Sequence, residues 1–83
     1  MQITLKLFAS LADRLPPGAR KNVGQLDVPP GSSVQAVVDG LGIADDQAHL
    51  VIVNGVFVPC AQRAGRVLQA GDTVAIWPPV AGG

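Results

Sequence analysis

Several residue types that build catalytic and metal sites are missing or scarce in this sequence of 83 residues. It has no glutamate or tyrosine, a single cysteine and a single histidine. A lone cysteine cannot form an internal disulfide, which is consistent with a reducing compartment, and a metal site built from several Cys and His ligands is excluded. One histidine leaves a Ser-His-Asp triad possible only in principle. The phosphate-binding patterns GxGxxG and GxxxxGK(S/T) do not occur.

Charge and long apolar runs are scarce too. Only 14% of the residues are charged, and six Lys and Arg residues balance six Asp residues. The basic residues are scattered along the chain, so the sequence lacks the basic patch that binds nucleic acid or an anionic membrane surface. No apolar run approaches the ~20 residues that span a bilayer, and the alternating start MQITLKLF is unlike a signal peptide. We therefore expect a cytoplasmic protein that binds neither nucleic acids nor membranes.

The composition and length that remain are those of one small globular domain. Apolar residues make up 48% of the chain, and 83 residues suffice for one hydrophobic core. Strand character is found in the alternating residues 1–7, near 23–28, in the two apolar arms that flank Asn54-Gly55, and in residues 73–77. Because Asn-Gly is the strongest short-range signal for a β-hairpin, the sequence predicts five strands.

The clearest helical pattern lies in SSVQAVVDGLG. Its apolar residues fall on one helical face: Val34, Val37, Val38 and Leu41. Ser32 and Gln35 have the spacing of a capping box, and Gly42 is a natural C-terminal stop. A shorter helical stretch, ASLADRL, follows the first strand. The sequence therefore predicts one main helix and one short one.

This order of elements predicts an α+β, two-layer roll, in which a sheet of four to five strands packs on one main helix. The first and last strands are apolar enough to occupy central positions. Residues 1–77 are expected to form the domain and residues 78–83 a flexible tail. Two prolines, Pro78 and Pro79, prevent the last strand from continuing, and the terminal glycines give the backbone wide freedom.

Few side chains offer chemistry, and for most of them a structural role is the simpler interpretation. His49 precedes a strand and is expected at the surface or at the sheet edge. Asp45 and Asp46 suggest a cation site, but adjacent side chains in a loop point apart, which favours a solvated, helix-capping pair. Cys60 could be a nucleophile, yet no base lies near it in sequence, and lone cysteines mostly pack as small apolar residues.

Three larger side chains near the C-terminus have two interpretations each. Arg63 and Arg66 are expected to be solvated, although they could steer an acidic partner. Trp77 is the only tryptophan. If Val74 and Ile76 face the helix, Trp77 and Ala75 face the other side of the sheet, where an exposed aromatic would anchor a partner protein. The alternative is that Trp77 packs in the core.

Three segments together resemble a known family: LFASLADRL, VNGVFV and LQAGDTVAIWPPVAGG. They resemble the MoaD/ThiS sulfur carriers, which are ubiquitin-like β-grasp proteins, and within that family the small subunits of molybdopterin synthase. The resemblance covers nearly the whole chain and is most specific over residues 68–83, where the pattern is LxxGDxVxxxPPVxGG. It implies a β-grasp fold with a mixed sheet.

The resemblance also implies a reaction. An ATP-dependent, E1-like activating enzyme would adenylate the C-terminal carboxylate, and a sulfur donor would convert it to a thiocarboxylate. The large catalytic subunit of molybdopterin synthase, or an equivalent acceptor enzyme, would then use the sulfur to make a molybdenum or tungsten pterin cofactor. The chain would be a non-catalytic sulfur-donor subunit that binds no cofactor or metal, since the ATP is used by the activating enzyme.

The resemblance assigns roles along the C-terminal segment. Gly83 would receive AMP and then sulfur, which agrees with the elimination of other reactive groups. The residues that would thread into a partner's active site are Pro78, Pro79, Val80, Ala81 and Gly82. Trp77 and Phe8 are expected to contact the catalytic partner, although Phe8 could belong to the core.

Other functions share this tail and stay open. The chain could carry sulfur for the thiazole of thiamine or for another metabolite. It could be a ubiquitin-like modifier whose Gly83 forms an isopeptide bond with a lysine. It could also be a plain interaction domain that ends in a flexible tail.

Overall fold

Residues 1–80, which a computed structural model describes, form five strands, one α-helix and two short 3-10 helices. In chain order these are β1 (Gln2–Leu7), a 3-10 helix (Ala9–Arg14), β2 (Val23–Asp27), α1 (Val34–Gly40), β3 (Leu50–Val53), β4 (Val56–Phe57), a second 3-10 helix (Cys60–Gln62) and β5 (Thr73–Trp77). The sequence predicts this order apart from the second 3-10 helix. None of the helices in this part of the chain is long and apolar enough to cross a bilayer.

The sheet has the strand order β2-β1-β5-β3-β4. β1 and β5 run parallel and all other neighbours run antiparallel. The sheet is therefore mixed, and the predicted central places of the first and last strands are confirmed. Packed on α1, it forms an α+β, β-grasp fold. Because β1 and β5 are parallel, their C-terminal ends lie side by side, and the C-terminal tail begins there. We call this end of the sheet the tail-exit end.

One face of the sheet packs against α1 and forms the core. In β1 the alternate residues Ile3, Leu5 and Leu7 are completely buried, as the two-residue period of a strand requires. The predicted stripe of α1 is buried too, at Val34, Val37 and Val38. The other sheet residues of the core are Val51, Val53, Val74 and Ile76. Removal of this apolar surface from water is the main stabilising term for the fold.

The N-terminus of α1 begins one residue later than the capping-box spacing predicts. Ser33, and not Ser32, is the N-cap: its Oγ accepts a hydrogen bond of 3.0 Å from the Ala36 N–H. The hydroxyl of Ser32 instead donates to a carbonyl of the preceding turn. Gln35 does not reach back to the cap; its amide donates to the Asp39 carboxylate one helical turn later. The capping-box rule selects Ser32, because Gln35 follows it by three residues, but the extended backbone and the side-chain bond at Ser33 make that residue the N-cap.

The predicted Asn-Gly hairpin joins β3 and β4. Asn54 and Gly55 both have positive φ, +51° and +83°, as the two-residue turn requires. The Asn54 amide donates to Asp72 Oδ1 and its Oδ1 accepts from the Thr73 N–H, each at 2.9 Å. Asp72 Oδ2 also accepts from the Gln69 N–H at 2.8 Å. We call this end of the sheet, opposite the tail-exit end, the turn end.

Candidate functional site at the tail-exit end

Two aromatic rings lie side by side at the tail-exit end. Trp77 is the last residue of β5, and Phe8 directly follows β1. Their rings stack with centroids 4.4 Å apart and an angle of 2° between the planes. The preceding residues Leu7 and Ile76 pair with each other and are fully buried toward α1. Since successive side chains of a strand alternate between faces, Phe8 and Trp77 lie on the opposite, open face, where both are half-buried.

The apolar surface continues across β3 and β4. Leu50 is the Cα partner of Trp77 and is also half-buried. One step further from the tail, a second row of paired residues crosses the sheet: Phe57, Ile52, Ala75, Lys6 and Val23. Phe57 is 54% exposed, which is unusual for a phenylalanine of a small domain. We call Phe8, Leu50, Ile52, Phe57, Ala75 and Trp77 the apolar open face.

The third row across the sheet is polar. Thr73 pairs with Thr4, and Thr4 pairs with Gln25. The Gln25 amide donates to the Thr4 hydroxyl at 3.1 Å. The open face therefore changes from apolar at the tail-exit end to polar at the turn end. Within residues 1–80, Lys6 is the one charged side chain in the row that contains Phe57.

Hydrogen bonds to backbone carbonyls lie on both sides of the aromatic pair. On one side, the Asn22 side-chain amide donates to the Leu7 carbonyl at 2.7 Å, and Ala9 has a left-handed φ of +52° directly after Phe8. On the other side, the His49 N–H donates to the Trp77 carbonyl at 3.0 Å. The bond from His49 extends the pairing of β3 and β5 to the end of β5.

The first residues of the tail follow Trp77 without regular structure. Pro78 is half-buried, while Pro79 and Val80 are exposed, the latter to 79%. β5 ends at Trp77 because the two prolines cannot donate to a neighbouring strand. Ala81, Gly82 and Gly83 lie outside the described residues, so the predicted threading and acceptor roles of the tail stay predictions.

The other candidate side chains do not assemble into a reactive site. His49 is exposed, as expected. Asp45 accepts a hydrogen bond of 2.8 Å from the Gln35 amide, and Asp46 is exposed. No group of three His, Cys, Asp or Glu side chains in residues 1–80 is placed to hold a metal ion. The expectation that Cys60 packs as a small apolar residue is wrong, because the second 3-10 helix places it in solvent.

The expectation that Arg63 is solvated is also wrong. Arg63 is 2% exposed and is the one buried charged residue of the described chain. Its guanidinium donates to the backbone carbonyls of Ala48, His49 and Val58. These acceptors lie on segments 5 to 15 residues away along the chain, so no local pattern could reveal them. Arg66, three residues on, is half-buried and donates to the neighbouring Val67 carbonyl.

Three residues of the apolar open face were not singled out in the sequence analysis: Leu50, Ile52 and Phe57. A signal for them exists. A two-residue turn at Asn54-Gly55 pairs Val53 with Val56 and Ile52 with Phe57, and the alternation of LVIV puts Leu50 on the same face as Ile52. The direction in which that face points became clear only with the complete sheet.

Comparison with known proteins agrees with this architecture. A family model described as the ThiS family matches residues 5–83. No curated protein sequence matches the chain.

Solved structures with the same fold include small archaeal modifier protein 1 and chains of molybdopterin-converting factors. SAMP1 from Haloferax volcanii is similar over 100% of both chains, with a TM-score of 0.66 and 27% identity. The putative molybdopterin converting factor subunit 1 from Pyrococcus furiosus has a TM-score of 0.65 and 20% identity, over 95% of this chain and 98% of that one. In the complex of subunits 1 and 2 of the molybdopterin-converting factor from Helicobacter pylori, one chain has a TM-score of 0.59 and 14% identity over 100% of both chains. At such identities the last two show the fold alone.

Proposed function

Because the chain belongs to the ThiS family, we propose that it is a sulfur carrier whose Gly83 carboxylate is adenylated, converted to a thiocarboxylate and used as the sulfur source for molybdopterin or a tungsten-pterin. Its ubiquitin-like β-grasp fold is the one that sulfur carriers and modifiers of this type share. The proposal requires Gly83 to be the C-terminal residue of the mature protein.

The observation that carries the proposal is the position of the tail beside the apolar open face. The tail begins at Pro78, directly after the stacked Trp77. An extended segment from Pro78 to Gly83 reaches roughly 20 Å at about 3.3–3.6 Å per residue. A partner that covers the apolar open face would therefore receive the chain end in a pocket well inside its own surface.

The residues of the tail suit such a pocket. Gly82 and Gly83 add no side chain, so the backbone can pass through a narrow channel. Pro78 and Pro79 restrict the base of the tail, which lowers the conformational entropy lost on binding. A carboxylate is a poor electrophile, and its adenylate supplies AMP as a leaving group that the sulfur of a donor can displace. The chain supplies the acyl group, while the activating enzyme supplies ATP and the catalytic residues.

We place the catalytic partner on the apolar open face. Trp77 and Phe8 form a rigid aromatic pair, and Phe57 adds the largest exposed apolar side chain beside them. Aromatic residues at the centre of an interface carry most of its binding free energy. The Helicobacter pylori complex of subunits 1 and 2 supports a second subunit as the partner, and the E1-like activating enzyme would use the same surface at a different step.

Two alternatives have specific support. The family description favours a carrier for the thiazole of thiamine equally well. The likeness to SAMP1, a small archaeal modifier protein, supports a modifier whose Gly83 forms an isopeptide bond with a lysine.

Intact mass spectrometry tests the proposal. The chain is expressed together with the E1-like enzyme encoded in the same genome, and its mass is compared with that of the chain expressed alone. A carrier gains the mass difference between oxygen and sulfur at its C-terminus. A ladder of larger conjugates would instead establish the modifier, and an unchanged mass with active enzyme and donor would refute both. Transfer of the sulfur to a pterin precursor or to a thiazole precursor identifies the acceptor.

A further inference from the structure

We propose that the buried Arg63 side chain is a positioning residue, which fixes the junction between β5 and the tail through His49. That this junction matters for adenylation rests on the proposed function. The fixing of the junction itself rests only on the described contacts.

The contacts of Arg63 converge on one corner of the fold. Its Nη1 donates to the Ala48 carbonyl at 2.6 Å, its Nη2 to the His49 carbonyl at 3.3 Å, and its Nε to the Val58 carbonyl at 3.4 Å. The planar guanidinium thus joins the segment before β3 to the segment after β4. No carboxylate is among its hydrogen-bond partners within residues 1–80.

A second hydrogen bond connects the segment that Arg63 holds to the residue before the tail. The peptide between Ala48 and His49 lies between Arg63 and β5: its carbonyl, that of Ala48, accepts from Arg63 at 2.6 Å, and its N–H, that of His49, donates to the Trp77 carbonyl at 3.0 Å. The Trp77 carbonyl is the last main-chain acceptor before Pro78. Residue 49 therefore connects a buried cation to the first peptide bond of the tail.

The choice of arginine supports a specific role. Burial of a charge without an opposite charge is unfavourable, and an apolar side chain of similar volume would avoid that cost. An apolar side chain could not donate to three carbonyls at once, however, and lysine has a point-like ammonium without the planar fork of arginine. Arginine holds its donors in a fixed planar fork, which suits carbonyls that lie on two separate segments.

Hydrogen exchange separates this role from general stabilisation. β3 and β5 are joined by one hydrogen bond beyond each end of their pairing, from His49 to Trp77 at the tail-exit end and from Asn54 to Thr73 at the turn end. If Arg63 fixes the junction, Arg63→Lys in the full 83-residue chain speeds native-state exchange at the His49 amide about tenfold more than at the Asn54 amide. If Arg63 only stabilises the fold, both amides speed up equally, and the proposal is wrong.

Arg66→Lys is the matched control, because Arg66 donates only to its neighbour Val67 in the described chain. It is expected to leave the ratio of the two exchange rates unchanged. An equal shift of the ratio in both variants would overturn the proposal. If Arg63→Lys does not fold, the wild-type protein decides: protection of the His49 amide close to that of core β5 amides supports the proposal, and rapid exchange through a local opening refutes it.

Adenylation kinetics test the consequence for the reaction. With the E1-like enzyme, kcat/KM of Arg63→Lys is expected to fall about tenfold, since misplacement of a reacting group by about 1 Å is costly. A local exchange effect with unchanged kcat/KM would show that the junction does not govern the reaction. If even the wild type is not adenylated, the proposed function fails, whereas the exchange ratio still decides whether Arg63 fixes the junction.

Discussion

The two ends of the open sheet face are held together in different ways. At the turn end, three hydrogen bonds join polar groups in a row: Gln69 to Asp72, Asp72 to Asn54, and Asn54 to Thr73. At the tail-exit end, the half-buried rings of Phe8 and Trp77 stack on the open face. Hydrogen bonds to the carbonyls of Leu7 and Trp77 hold the backbone beside them. One end has its polar groups paired within the chain, and the other presents apolar surface.

This difference indicates where a partner binds. A partner at the turn end would have to compete with hydrogen bonds that the domain already makes, and the net gain from exchanging hydrogen bonds is small. A partner at the tail-exit end would remove aromatic and aliphatic surface from water, which is favourable in proportion to its area. The tail begins at the tail-exit end, so a partner that binds there also lies next to the C-terminal residues of the chain.

The largest expected effect on activity comes from changes in the tail, which leaves the domain at the tail-exit end. Deletion of Gly83, or extension by one residue, should abolish adenylation and sulfur transfer because the reactive carbonyl moves by about 3.5 Å. Thermal unfolding should be nearly unchanged, since an unpacked terminus contributes little to the fold. Gly82→Val keeps the register but adds a side chain, and is expected to obstruct threading. Full sulfur transfer by the Gly83 deletion would refute the carrier interpretation.

The next largest effect should come from the aromatic pair. Trp77→Ala is expected to weaken binding of the catalytic partner by ~2 kcal/mol or more, measured by calorimetric titration. Thr73→Ala is the matched control on the same strand and the same face at the turn end, with an expected change within about 0.5 kcal/mol. If Trp77→Ala instead unfolds the isolated domain, Trp77 is a core residue and its role as an anchor is wrong.

A smaller effect on partner binding is expected at β4, where the docking surface ends. Phe57 lies on the open face beside Ile52, whereas Val56 pairs with the buried Val53 and so points to the other face. Both are exposed, to 54% and 66%. Phe57→Ala should weaken partner binding by about 1 kcal/mol, and Val56→Ala should have no measurable effect in the same titration. Equal losses would place the partner on the β4 edge and not on the open face.

The smallest effect should appear at the turn end and should concern stability alone. The Gln69 N–H, then the Asn54 amide, bind the Asp72 carboxylate and hold its pKa below the ordinary value of 3.8, with a minor contribution from Arg66 and against some desolvation. A carboxyl whose pKa is lower in the folded than in the unfolded state stabilises the fold above its unfolded pKa. That stabilisation is lost as the pH falls from 3.8 through the folded-state value.

Thermal unfolding between neutral and acid pH measures this contribution. Because Asp72 is only half-buried and solvent screens its charge, less than about 1 kcal/mol is expected. Asp72→Asn should remove this part of the pH dependence, whereas Asp46→Asn, at an exposed position, should retain it. Partner binding at neutral pH should be the same in both variants, and a loss of binding in Asp72→Asn alone would contradict the separation of the two ends.

Much of the fold could be predicted from local patterns. The two-residue alternation of β1, the stripe of α1 and the Asn54-Gly55 turn each depend on residues close together in sequence, and all three are confirmed. The N-cap of α1 is a local error: the capping-box spacing of Ser32 and Gln35 predicts Ser32, whereas Ser33 is the residue that caps the helix.

The sequence by itself determined the strands, the main helix, their order and the end of β5 at Trp77, because backbone preferences and apolar periodicity act over a few residues. Only the tertiary structure decided which side chains meet. The stacking of Phe8 on Trp77 requires the parallel pairing of two strands 69 positions apart in register, and the burial of Arg63 requires carbonyls from separate segments. Both are long-range contacts, which form when the whole chain buries its core, and no local propensity encodes them.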